Sequence, residues 1–142
     1  MPVKNAARYH ENVRLFAAEA AKYETVVALY LTWSRQNAPH AQAQIDDAVQ
    51  TIGAQIRARI VPVGPAWHRA MARRPDVALY LDDGSHPTAI GAYLAACVFT
   101  VALLDRRPRG FAVSDALQID RSTATMLHEI AEGFARDSGK SC

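Results

Sequence analysis

Hydrophobic and polar positions along the chain change period several times, and each change marks an element. In residues 5–22, Tyr9, Val13, Phe16, Ala17 and Ala20 recur at helical spacing, with Arg8, Glu11, Arg14, Glu19 and Lys22 largely opposite. That pattern predicts a surface helix laid on a sheet. Residues 25–31 (TVVALYL) are β-branched and apolar without alternation, the pattern of a buried parallel strand. Residues 40–59 return to the helical period, with Ile45, Ala48, Val49, Ile52 and Ile56 on one stripe. The run IVPV at 60–63 predicts a short strand, and Pro62 assigns it to an edge or irregular position. Gly64 and Pro65 then turn the chain into a short helix over 67–74, closed before Pro75.

The chain is organised around residues 77–104. The apolar run 77–81 (VALYL) predicts a strand buried on both faces. It meets Asp82, Asp83, Gly84, Ser85, His86 and Pro87, which predict a tight loop. Thr88 is placed to N-cap the long apolar helix that follows, which has no charge before Asp105. A basic connector over 106–113 leads to Asp120, a cap for a final helix to about residue 136 with Ala124, Leu127, Ile130, Ala131 and Phe134 buried. Residues 137–142 are expected to fray. Strands alternating with helices in this order predict right-handed βαβ units on a parallel sheet. Two good strands and one poor one are fewer than a complete doubly wound sheet contains.

The loop holds the chemistry. Pro87 keeps His86 out of the helical region, so its imidazole belongs to an extended segment at the carboxyl end of a strand, where open α/β sheets bind ligands. A carboxylate on Nδ1–H would fix the tautomer and leave Nε2 free as a general base. Asp83 has the spacing for this, and Asp82 is one residue too far. The string from Asp83 to Thr88, followed by Gly91, Ala92, Tyr93, Leu94, Ala95 and Ala96, resembles the last signature block of the SGNH (GDSL-type) hydrolases. The resemblance implies a partial flavodoxin-like (SGNH-type) three-layer α/β/α fold with a short parallel sheet. It also implies esterase-type chemistry on a small-molecule or carbohydrate ester, with Asp83 as triad acid and His86 as base.

The family's nucleophile lies in a Gly-Asp-Ser block, and a Gly-x-Asn-Asp block supplies oxyanion donors. Neither string occurs here, so the resemblance covers only the C-terminal half of such a domain. On this reading residues 1–108 are that portion and 109–142 a connector and helix. The chain alone is then a truncated or inactive hydrolase, or else a non-catalytic α/β remnant that serves as a binding module. Trp33, Ser34 and Trp67 follow predicted strands and are candidates to line a substrate pocket. Ser34 and Ser85 lack the strand-to-helix setting of an activated nucleophile.

Composition narrows the partners. The 142 residues suit one domain, and a net charge of +2 does not argue for nucleic acid or an anionic membrane. The uncharged run 88–104 is short for a membrane span and reads as a core helix. His10, His40, His68, His86 and His128 are scattered, His128 lacks the second histidine of a helical zinc motif, and neither metal nor cofactor is expected. Cys97 falls in an apolar helix and Cys142 ends the chain, which favours a reducing compartment. The N-terminus lacks a secretory h-region, so the chain as written is expected in the cytoplasm, or exported if a longer precursor exists. An unprotected strand edge at 25–31 is expected to drive self-association.

Overall fold

The computed structural model describes residues 4–111, 113 and 115–138, and it shows a mixed α/β chain dominated by helix. Helix α1 spans Ala6–Ala21, strand β1 Ala28–Tyr30, α2 Gln42–Ile56 and β2 Arg59–Val61. They are followed by α3 (Val63–Arg73), α4 (Ala89–Leu104) and α5 (Arg121–Ser138). The strands form a two-stranded parallel sheet with Leu29 opposite Ile60.

Local chemistry sets the helix starts. Asn5 Oδ1 accepts from Arg8 N at 2.9 Å, Thr88 Oγ1 from Gly91 N at 3.1 Å, and Asp120 Oδ1 from Thr123 N at 3.0 Å. Each satisfies a donor that the first helical turn leaves unpaired. The Thr88 and Asp120 caps are where the residue pattern puts them.

Strand residues feed two hydrophobic clusters. Leu29 and Leu31 join Ile45, Val49 and Ile52 of α2, with Tyr9 and Val13 of α1 packed against them. Val61, Trp67, Leu79, Leu94, Val98, Leu127 and Ile130 form the second cluster, which unites β2 with α3, α4 and α5. Helix α5 therefore shares a core with α3 and α4 on the other side of the boundary drawn at residue 108.

Several expectations need correction. The run 77–81 is not a strand of the sheet. Leu81 N donates to His86 O and Thr88 N to Leu79 O, both at 2.9 Å, and the one bridge there is antiparallel, Tyr80 to Pro87. The segment spends main-chain groups on its own loop, so it adds no rung to β2. Leu79 and Tyr80 are buried, while Leu81 is half exposed.

Helix α1 has no fully buried residue and lies on α2, where His10 Nε2 is 2.7 Å from Ala48 O. Phe16, expected in its buried stripe, is 76% exposed. Helix α3 begins at Val63, four residues earlier than expected. Pro65 sits in its first turn, where a missing N–H costs nothing. Both strands are only three residues long. Helix α5 includes residues 137 and 138; the fraying expected of 139–142, and Cys142, lie outside the described residues.

Candidate functional site

The loop between Leu81 and Thr88 is held at both ends before its side chains are considered. Thr88 anchors one end through its N–H to Leu79 O and its hydroxyl to Ala78 O at 2.8 Å. Across the loop, Gly84 adopts φ +63°, a left-handed conformation that glycine enters without a Cβ penalty. A Cβ there would also crowd Gln36 at 3.3 Å.

The segment after β1 grips the other side. Gln36 N donates to Gly84 O at 2.9 Å, Trp33 Nε1 to Ser85 O at 3.0 Å, and Tyr80 Oη to Ser34 O at 2.7 Å. Two loops distant in sequence are thus joined into one rim.

On that rim Asp83 and His86 meet. One carboxylate oxygen of Asp83 accepts the backbone N–H groups of Ser85 and His86, each at 2.9 Å. The other oxygen forms a short hydrogen bond to His86 Nδ1. The imidazole contact, then the two N–H donors, hold the Asp83 carboxyl well below the usual carboxylate range. Asp83 is an anion at any ordinary pH, and it selects the Nδ1–H tautomer of a neutral His86. The His86 side chain is 74% exposed, and Nε2 makes no hydrogen bond among the described residues. The pair can therefore accept a proton at Nε2 and stabilise the resulting imidazolium. Asp82 is exposed and outside this arrangement.

The other candidates divide. Trp33 is partly buried and binds the loop through its indole N–H, while its ring stacks on Trp67 at 3.9 Å between centroids. Trp67 is fully buried in the second core cluster. It supports the rim from below and presents no surface to a ligand, which corrects its assignment as pocket lining. Its ring is drawn inward because a large apolar surface gains more by stacking face to face on Trp33 and meeting Tyr80 edge-on than by facing water.

Ser34 is 2% exposed, and its Oγ lies 3.3 Å from His68 Nε2. Its N–H donates to Gln42 Oε1 at 2.7 Å, and Gln42 Nε2 donates in turn to Thr32 O and Asp46. Ser34 is a structural rivet of the rim, bonded to residues other than His86. Pattern reading missed His68, Gln42 and Tyr80, because nothing local in the sequence marks partners 34, 8 and 46 residues away from Ser34.

A second polar group lies apart, between α4 and α5. Tyr93 Oη is 2.7 Å from His128 Nε2, and Arg109 Nε is 3.3 Å from Glu132. Burial pushes the Tyr93 hydroxyl up to about 12, and the Cys97 thiol to about 11, so Cys97 is a core residue. Among the described residues no three His, Cys, Asp or Glu side chains gather as a metal site. No helix among them is long and apolar enough to cross a membrane. No protein-family model, curated protein or solved structure matches the chain.

Proposed function

We propose that this chain carries the acid and base of a serine-type ester hydrolase of the SGNH kind, with the nucleophile supplied from outside its 142 residues. The observation that carries the reading is the Asp83–His86 pair: an anchored carboxylate on Nδ1, with Nε2 open at the rim. In the completed site a serine would attack an ester carbonyl. His86 would take its proton and return it to the leaving alcohol, while Asp83 orients the ring. The completed domain would be a flavodoxin-like three-layer α/β/α arrangement, for which the outer edge of β1, unpaired among the described residues, would receive further strands.

The rival reading, a non-catalytic binding module, is favoured by one observation. Ser34, the serine on the rim nearest the sheet, is buried and bonded to His68.

Hydrolysis of a p-nitrophenyl ester tests both readings. The chain alone is expected to show no serine-dependent turnover and no fluorophosphonate labelling. General-base assistance by His86 without a nucleophile is worth about 10²-fold, the low end of the usual range, and is lost in His86→Ala. Labelling of a serine would mean that a nucleophile is present after all. Assisted hydrolysis unchanged by His86→Ala would remove the base from the account.

A further inference from the structure

We propose that the outer edge of β2 docks an extended peptide segment bearing a carboxylate. The register decides which main-chain groups are spent. Arg59 N donates to Val27 O at 2.9 Å and Leu31 N to Val61 O at 3.0 Å, so Arg59 and Val61 face β1. Ile60, between them, turns its N–H and C=O away from β1, and no third strand lies there among the described residues. This edge is the floor of a cleft of about 1040 Å³, walled by Ala54 of α2 on one side and Ala102 of α4 on the other. Helices on both sides and an unpaired strand edge at the bottom are the surroundings of a strand in a covered sheet.

Two physical arguments select the occupant. A purely apolar ligand would cover the Ile60 N–H and C=O without giving them partners, which costs free energy for each buried group. An extended peptide gives both groups a partner, as in β-strand addition, and sets side chains against the small residues of the two walls. Charge selects the rest. Arg57 and Arg59 line the cleft against a single carboxylate, Asp105, and Arg57 has no ion-pair partner among the described residues. An acidic side chain or a terminal carboxylate at that end of the peptide complements them. These arginines precede and open β2, whereas Trp33 and Ser34 follow β1. The docking edge is therefore at the opposite end of the sheet from Asp83 and His86, and it is independent of the hydrolase reading.

The test is an amide-resolved NMR titration of the intact chain with a synthetic acetylated pentapeptide of alternating threonine and valine ending in glutamate. Two controls accompany it: the same peptide ending in lysine amide, and one N-methylated at alternate residues. The expected result is a shift of the Ile60, Arg57 and Arg59 amides with half-saturation near about 1 mM, as suits a few main-chain bonds on an exposed edge. The lysine peptide should bind at least about 3-fold more weakly, and the N-methylated one should leave Ile60 unmoved. Silence at Ile60 up to about 10 mM peptide, or an equal response to the N-methylated peptide, would overturn the proposal. So would shifts centred on Ala28 and Tyr30, the same shifts produced by dodecanoate, or Ile60 shifts that follow protein concentration without peptide. The last would make a second copy the occupant.

Discussion

Gly91→Ala is the substitution in which local propensity and tertiary packing make opposite predictions. Position 91 lies in the first turn of α4, and replacing glycine by alanine inside a helix is worth about 1 kcal/mol in stability on propensity alone. The tertiary surroundings oppose this. A Cβ at 91 would stand 2.5 Å from Leu79 O and closer still to the Trp67 ring. Neither neighbour can yield easily. Leu79 O is fixed by the Thr88 N–H, and Trp67 is fully buried against Trp33 and Tyr80. Overpacking of this kind costs about 1–3 kcal/mol. The net expectation is a destabilisation of about 1 kcal/mol, roughly a 5-fold loss in the folding constant. Urea unfolding followed by tryptophan fluorescence reads it as a lower midpoint at unchanged slope. Stabilisation by the alanine would mean that α4 does not close on Leu79 as described, and the frame of the Asp83–His86 loop would fall with it.

Other expectations concern acid sensitivity and association. Desolvation holds the His128 pKa below 6.5 in the folded chain, despite Glu132, with Arg109 adding to the depression. The unfolded chain therefore binds more protons just below that value, so this contribution to stability is complete above pH 6.5 and falls away as the pH drops toward the folded pKa. His128→Gln should flatten the pH dependence of the urea midpoint in that window, and an unchanged slope would assign it to other groups. Strand β1 has no partner on its outer edge among the described residues; Tyr30 on that strand is exposed, and so are Phe16 and Tyr23 earlier in the chain. The chain should self-associate or bind a hydrophobic dye, and Tyr30→Lys should reduce both, since charge on an edge strand opposes pairing. Sedimentation showing a monomer at all concentrations, without dye binding, would contradict this.

What could be read from the residues was mostly local. Thr88 and Asp120 announce their caps because capping joins a side chain to an N–H three residues on. The meeting of Asp83 and His86 is legible for the same reason: the loop that joins them is short and fixed by Gly84 and Pro87. Longer-range outcomes were not legible. An apolar run such as 77–81 reads as a buried strand whether its main chain bonds to a neighbouring strand or, as here, to its own loop. Phe16 fits the helical period of α1 but finds no surface to cover, since it is Tyr9 and Val13 that pack against the cluster of α2 and β1 residues. Trp67 follows a strand as a rim residue would, yet stacking carries it into the core. The Ser34–His68 contact joins two elements that no spacing relates.

The central claim is that Asp83 holds His86 with Nε2 free to act as a base, and nitrogen-15 NMR of the His86 ring tests it directly. With His86 neutral, the account predicts a protonated Nδ1 and a bare Nε2, and Asp83→Asn should release that preference. A neutral His86 carrying its proton on Nε2, or a tautomer unaffected by Asp83→Asn, would contradict it.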